Sequence, residues 1–435
     1  MNSAESAALE LVLRGRGWEK SLHGEGAELI LLNTCSVRET AETRLKGRLA
    51  QYAALKQKRP ALTLVVAGCM ASRLGERLKT EYPAIDYVMD TASRSIFPAI
   101  LEAAESGHKS AREIASLREK AVFSFSSSHL EEGAFRSFVP IMHGCNNFCS
   151  YCIVPYVRGR EICRSPRSIA EEIALLAEGG VREITLLGQN VNSYQHGDLD
   201  FPGLLRMIAG WVRGGPIEWV RFLSANPKDF SLETIAVMAE NPCYCRHLHL
   251  PAQHGSNGIL KTMNRRYTRE DFLLLVKELR KAMPSISLST DILVGFPGET
   301  DKDLEAVLDM MEQVRFHYSY MYHFNPREGT AAYTLPGRIQ EKTKRERLSR
   351  VIALQKKHTS ETLRNRLGSK ERILIEGISR KNADEVIGRT ERDEMVVLPG
   401  TSALIGSFMN IELYSLRGHT FRINKELEVL CPGVL

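Results

Sequence analysis

Residues 143–152 read HGCNNFCSYC and carry three cysteines, Cys145, Cys149 and Cys152. The spacing C-x3-C-x2-C presents three thiolates from one short loop. A disulfide uses two thiols, and a closed structural zinc site uses four protein ligands. Three thiolates on a [4Fe–4S] cluster leave one iron open, and an open iron can hold a small molecule. The competing reading is a zinc site completed by a distant cysteine or histidine, such as His143. Phe148 and Tyr151 stand beside the thiols.

Two further cysteines share one setting. Cys35 lies in LILLNTCSVRETAE and Cys69 in LTLVVAGCMASRLGERL. In each, an apolar strand runs into the cysteine and a helix follows. Two such units in one small α/β domain bring both thiols to one face of a parallel sheet. A helix N-terminus also favours thiolate over thiol. The alternative is a pair of buried cysteines acting as small apolar side chains. Cys163, Cys243, Cys245 and Cys431 follow no metal spacing and are read as incidental.

The elements that must position the loop follow it. From residue 138 onward, apolar β-rich runs alternate with helical stretches. The strands read FVPIMHG, EITLLGQNV, EWVRFLSAN, RHLHLPAQ, SISLSTDILVGF and YSYMYHF. Six βα units predict a partial, open version of the parallel barrel, with its chemistry at the C-terminal strand ends. Polar residues recur there: Gln189 and Asn190, Ser224 and Asn226, Gln253 and His254, and Asp291. These are the candidate cofactor-binding residues. His247 and His249 alternate along one strand and fit satisfied barrel positions.

Residues 337–372 hold twelve Lys or Arg against four Glu, a net charge of +8, which exceeds the +6 of the whole chain. A basic helix of this kind contacts phosphates or forms a solvated connector. Five short runs follow, ERILIEG, EVIGRT, EMVVLP, GSFMNIELY and HTFRI, and predict a small antiparallel barrel. The expected organisation is an α/β chain in five parts. These are an N-terminal α/β domain (1–110), a linker (111–134), the partial barrel (135–335), the basic helical connector (336–367) and the C-terminal β-barrel (368–435).

With 435 residues the chain has room for several cores. No run of about eighteen uncharged apolar residues suits a membrane span. The opening MNSAESAALE lacks the basic and apolar regions of a secretory signal. A cytoplasmic location is expected. In a reducing compartment, nine cysteines point to metal or catalysis rather than to disulfides.

Several stretches together resemble one family. LNTCSVRETAE, VVAGCMA, HGCNNFCSYCIVPYVRGRE, LLGQNVNSY, HLHLPAQHGSN and DILVGFPGET are similar to the radical S-adenosylmethionine (SAM) methylthiotransferases. The resemblance covers essentially the whole chain, and NTCSVRE and GQNVN look most like the tRNA branch. It implies two [4Fe–4S] clusters. Cys145, Cys149 and Cys152 would bind the radical cluster, whose open iron is chelated by SAM. Cys35 and Cys69 would bind an auxiliary cluster that holds or supplies sulfur. One SAM would methylate the sulfur, and another would generate the radical that takes hydrogen from carbon 2 of an adenine. No side-chain base removes that hydrogen as a proton at neutral pH. The implied substrate is isopentenyl-adenosine beside the anticodon in a tRNA anticodon stem-loop. The implied partners are an electron donor such as a flavodoxin or ferredoxin, with the enzyme acting as a monomer. The C-terminal part resembles the TRAM module, an RNA-binding barrel, which makes Arg389, Arg392, Arg417, His419 and Arg422 candidate RNA contacts.

The chain departs from the family pattern at its start. That pattern runs through GCQMN into a helix, and Met1 and Asn2 align with its end, so a third auxiliary cysteine is lacking. The expectation is a start codon assigned too late or a trimmed chain, with an intact mass in native cells that differs from residues 1–435. Competing substrates are threonylcarbamoyl-adenosine in tRNA and a ribosomal protein. A non-catalytic Fe–S or zinc protein that binds RNA is the rival from another class.

Overall fold

In this computed structural model the described residues are 2–21, 23–35, 39–106, 114, 116–117, 123–125 and 133–423. Cys431, most of the expected linker 111–134 and the last residues of the C-terminal domain lie outside them. The chain forms two compact units. One comprises Met1–His129, Met142–Phe148 and Cys152–Arg164; the other comprises Leu130–Ile141, Cys149–Tyr151 and Ser165–Leu435.

The first unit is built on three parallel strands in chain order, β1 (Leu29–Thr34), β2 (Thr63–Gly68) and β3 (Tyr87–Met89). The central strand reads TLVVAG and is buried on both faces, the pattern of a parallel strand covered on two sides. Leu45 and Leu49 of α2 (Glu39–Lys58) pack with Leu32, Leu64 and Val66 on one face. Leu9 of α1 (Asn2–Gly15) and Phe97, Ile100 and Leu101 of α4 (Phe97–Ser106) pack on Val65 and Ala67 on the other. The short α3 (Cys69–Leu74) follows β2, and α5 (Val154–Arg158) packs against it.

The second unit contains the expected arc of parallel strands. They are β4 (Arg136–Pro140), β5 (Glu183–Leu187), β6 (Trp219–Phe222), β7 (His247–His249), β8 (Ser287–Val294) and β9 (Tyr318–His323). β4, β5 and β6 form one hydrogen-bonded set, and β7, β8 and β9 another. A parallel bridge from Val220 to Tyr244 joins the two. Helices α6 (Pro166–Glu178), α7 (Phe201–Val212), α8 (Leu232–Glu240), α9 (Arg269–Ala282) and α10 (Asp301–Val314) lie between them in the chain. Capping boxes start α9 at Thr268 and Asp271 and α10 at Thr300 and Asp303, so each begins at a fixed residue.

The basic stretch forms α11 (Glu341–Arg364). It is not a free connector: it packs on this unit and spends part of its charge there. Lys344 Nζ donates to the Phe324 carbonyl at 3.0 Å. Arg347 donates to Glu299 at 3.0 Å and to Asp301 at 2.8 Å.

The C-terminal sheet has six strands: β10 (Lys370–Ile378), β11 (Glu385–Thr390), β12 (Met395–Pro399), β13 (Phe408–Glu412), β14 (Ser415–Arg417) and β15 (Thr420–Arg422). Their order is β13-β10-β11-β12-β15-β14. All pairs are antiparallel except β12 with β15. The last expected run, HTFRI, forms β15, and an additional strand before it, β14, pairs with it in a hairpin turned at Gly418 with φ 63°. Leu374 and Phe408 of this sheet pack on Trp219 and Cys245 of the barrel. That apolar contact accounts for Cys245. Among the described residues no helix is long and apolar enough to cross a membrane.

Candidate active site

The cysteine loop depends on backbone that few side chains tolerate. Gly144 has φ 81°, and a Cβ there would stand 2.0 Å from the Arg160 carbonyl oxygen. Cys145 N donates to the Gly159 carbonyl at 3.2 Å, which draws the two segments together. Gly144→Ala is therefore expected to destabilise the loop by about 2 kcal/mol or more. The measurement is iron bound per chain after anaerobic reconstitution, which should fall. Phe148 holds φ 48°, a left-handed position rare outside glycine. Arg160 lies over its ring at 4.5 Å and Tyr156 meets it edge-on at 5.9 Å. None of Cys145, Cys149 and Cys152 is in a disulfide. Asn147 Nδ2 donates to Cys145 Sγ at 3.5 Å.

Among the described residues no three His, Cys, Asp or Glu side chains converge on one point. The fit of a cluster is therefore judged by the chemistry of what surrounds each thiol. Around Cys149 the decisive group is Arg265, which sequence reading did not single out. It is 7% exposed. Its Nη1 donates to Cys149 Sγ at 3.4 Å. Its Nη2 donates to the Pro251 carbonyl at 3.0 Å and Asn226 Oδ1 at 3.4 Å, and its Nε donates to Tyr267 Oη at 3.0 Å. No carboxylate is among these partners. A buried cation without an anion is costly, and a thiolate-ligated cluster supplies the missing negative charge. The residues present fit the group. Arg265→Lys keeps the charge and loses the fork. It should slow 5′-deoxyadenosine formation about tenfold or more, the worth of one or two charged hydrogen bonds, as read by mass spectrometry of the nucleoside.

The strand ends show where the other candidates lie. Ser224 has φ 67° and Gln253 φ 66°. Strained backbone at two candidate positions marks them as over-determined by their surroundings. Gln253 N donates to the Asp291 carbonyl at 2.8 Å. Asn226 is buried, its backbone N donating to Asn192 Oδ1 at 2.7 Å. Asn190 Nδ2 donates to Asp229 at 2.9 Å, and Val191 N donates to the Ser224 carbonyl at 3.2 Å. Gln189 precedes Asn190 at the end of β5. His254 is placed differently. Both ring nitrogens are spent inside the fold, Nδ1 accepting from Ser256 N at 3.0 Å and Nε2 meeting Glu299 at 3.3 Å. Asp291 remains partly exposed, with His249 Nε2 at 3.5 Å.

In the first unit, Thr34 of β1 pairs with Gly68 of β2. Cys35 and Cys69 are the next residues, so both thiols lie at one edge of the sheet. The expected helix effect does not prevail at Cys69: burial pushes its thiol up, and Arg158, which hydrogen-bonds it, pulls the other way. Arg158 also binds buried Glu5 at 2.7 Å, and Arg94 binds the same carboxylate at 3.4 Å. Burial raises the Glu5 carboxyl, but the two arginines outweigh it and hold it down to about 2. His143 adds no charge, since burial and then Arg158 push it down to about 3. Its ring stacks on Phe123 at 3.9 Å, and its Nε2 has no hydrogen-bond partner. Buried Arg158 and partly exposed Arg94 thus share the Glu5 carboxylate, and Arg158 also reaches Cys69. Cationic groups beside these thiols suit an anionic group held by Cys35 and Cys69.

The candidate RNA contacts divide. Arg417 and His419 are exposed at the β14–β15 hairpin. Arg389 is tied to Glu376 at 2.8 Å and Asp393 at 2.6 Å, and Arg422 to Glu385 at 3.1 Å. Arg392 is half-buried.

Comparison with known proteins gives three family matches along the chain. The chain matches the Radical SAM superfamily over residues 139–311, the Uncharacterized protein family UPF0004 over residues 1–90 and the TRAM domain over residues 364–419. It is 48% identical over 437 residues to the tRNA-2-methylthio-N(6)-dimethylallyladenosine synthase of Treponema pallidum (strain Nichols), which spans 97% of this chain and 96% of that protein. The protein of the same name from Treponema denticola is 47% identical, spanning 98% and 97%. That of Geotalea uraniireducens is 42% identical, spanning 94% and 93%. Among solved structures, the radical S-adenosylmethionine methyltransferase TsrM from Kitasatospora setae superposes with a TM-score of 0.60 at 17% identity, over 75% of this chain and 73% of that one. At that identity the likeness speaks for the fold. With identity of this order to its named relatives over nearly their whole length, the chain belongs to the tRNA methylthiotransferase family of radical SAM enzymes.

Proposed function

We propose that this protein converts isopentenyl-adenosine (N(6)-dimethylallyladenosine) beside the anticodon of tRNA to its 2-methylthio derivative. The observation that carries the reading is the pair of thiol sites, each with a buried arginine hydrogen-bonded to a thiol, Arg265 at Cys149 and Arg158 at Cys69. The names of the relatives supply the substrate. Membership in the family brings a [4Fe–4S] cluster and SAM; when bound, they supply one-electron cleavage of SAM and so a radical able to take the adenine C2 hydrogen.

The chain's own residues hold and shield this chemistry. Cys145, Cys149 and Cys152 carry the first cluster, and Arg265 neutralises it from behind. Gln189, Asn190, Ser224, Asn226, Gln253 and Asp291 line the SAM side of the barrel, with His254 bracing the loop behind them. Cys35 and Cys69 carry an auxiliary cluster, with Arg158 and Arg94 as counter-charge. Arg417 and His419 meet the RNA backbone, and Arg389, Arg392 and Arg422 shape the sheet that presents them. The functional parts are residues 1–110, 135–335 and 368–435, joined by 111–134 and 336–367. The enzyme works as a cytoplasmic monomer fed by a flavodoxin or ferredoxin.

Expression in a bacterial host lacking its own tRNA methylthiotransferase tests the substrate. Mass spectrometry of hydrolysed tRNA should show 2-methylthio-isopentenyl-adenosine appear while isopentenyl-adenosine falls. A 2-methylthio threonylcarbamoyl nucleoside, or unchanged tRNA with a methylthiolated ribosomal protein, would refute it.

A further inference from the structure

A line of hydrogen bonds crosses the inner face of β7, β8 and β9 and ends in the C-terminal sheet. The strand register places His249, Ser289 and Tyr318 side by side, with Asp291 and Tyr320 as the next pair on the same face. Below them, the turn after β11 is seated on the barrel: Arg221 donates to the Thr390 carbonyl at 3.1 Å and the Glu391 carbonyl at 2.9 Å. That turn carries Asp393 with φ 69°. Glycine would adopt this backbone with less strain, yet the residue is an aspartate whose carboxylate is engaged on both oxygens. Arg389 Nη1 donates to Oδ1 at 2.6 Å, and Tyr318 Oη donates to Oδ2 at 2.8 Å.

A carboxylate accepts only, and this fixes every proton beyond it. Tyr318 spends its hydrogen on Asp393. His247 Nε2 lies 3.0 Å from both Tyr318 Oη and Ser289 Oγ, so it must carry a hydrogen to bond with Tyr318. Burial pushes His247 down to about 3, so the ring is neutral and Nε2 holds its one proton. Ser289 is then free to donate to His249 Nδ1, at 3.0 Å. His249 therefore carries its hydrogen on Nε2, the atom that faces Asp291 Oδ2 at 3.5 Å.

We propose that Asp393, supplied by the C-terminal RNA-binding module, is a positioning residue for the radical site: it sets the tautomer of His249 and so the aim of Asp291 inside the barrel. The inference rests on the reading above that Asp291 lies on the SAM side. Without the Asp393 carboxylate, the Tyr318 hydroxyl can turn to His247, the direction of the line is lost, and His249 can present either nitrogen.

The test uses the reconstituted full chain with SAM, reductant and isopentenylated tRNA. Asp393→Gly removes the carboxylate and suits the backbone; Tyr318→Phe removes one hydroxyl at the other end of the same bond; Asp393→Asn keeps an acceptor for Tyr318. The readouts are 5′-deoxyadenosine formed per methylthio product, kcat and KM for tRNA, and Tm. Asp393→Gly and Tyr318→Phe should each raise the ratio about tenfold with KM within about twofold, and the double variant should match either single one. Asp393→Asn should stay near the parent. If Asp393→Gly fails to fold, Tyr318→Phe decides alone. An unchanged ratio in Tyr318→Phe, additive effects in the double variant, or a loss confined to KM or Tm would overturn the proposal. An unsubstituted chain that makes no methylthio product would instead overturn the reading of function.

Discussion

Cys149→Ala abolishes both outputs of the reaction. Neither 5′-deoxyadenosine nor the methylthio nucleoside should form at more than about a thousandth of the parent rate, since the open iron needs all three thiolates and each ~1.4 kcal/mol lost is tenfold. The loss is larger than ligand count alone suggests. Arg265 donates to Cys149 Sγ, and without the sulfur a buried guanidinium faces no anion. Cys149→Ala should therefore also lower iron per chain and Tm, both measurable on the purified variant. Cys243→Ala is the control: Cys243 is outside both thiol sites and should leave both outputs unchanged.

Cys69→Ala separates the two outputs. It leaves Cys145, Cys149 and Cys152 in place, so 5′-deoxyadenosine should persist within about threefold, whereas the methylthio product should fall by about a hundredfold or more. Iron per chain should drop by about four atoms, one cubane cluster. The thiol removed is the partner of Arg158. Its loss removes a hydrogen-bond partner of Arg158 beside the Glu5, Arg94 and Arg158 group. If 5′-deoxyadenosine vanished together with the product, Cys69 would belong to the radical chemistry, and the assignment of two separate sites would fail.

The parts of the protein readable from sequence were those written in local pattern. The apolar run EITLLGQNV became β5, buried along its whole length as a doubly covered parallel strand is, and SISLSTDILVGF became β8, with Ser289 and Asp291 alternating onto one face. The repeated strand–cysteine–helix stretches placed Cys35 and Cys69 at one sheet edge because β1 and β2 pair in register. The parts not readable depend on partners far along the chain. Arg265 stands 116 residues from Cys149 and looks like any other arginine in NRRYTRED. Arg389 and Arg417 are equally basic as letters, yet Glu376 and Asp393 tie up the first and leave the second exposed. Basic composition suggested that α11 was a surface feature, but Glu299 and Asp301 draw Arg347 into the fold. At Cys69 the sequence suggested helix stabilisation of a thiolate. Desolvation, which depends on packing, proved the larger effect.

The most direct test is made on this chain itself, reconstituted anaerobically with iron and sulfide. It is given SAM, a reductant and either isopentenylated or unmodified tRNA, and nucleosides and 5′-deoxyadenosine are quantified together by mass spectrometry. The account predicts 2-methylthio-isopentenyl-adenosine with the isopentenylated tRNA, accompanied by 5′-deoxyadenosine, and none with the unmodified tRNA. Formation of 5′-deoxyadenosine without any methylthio nucleoside on the isopentenylated tRNA would contradict it.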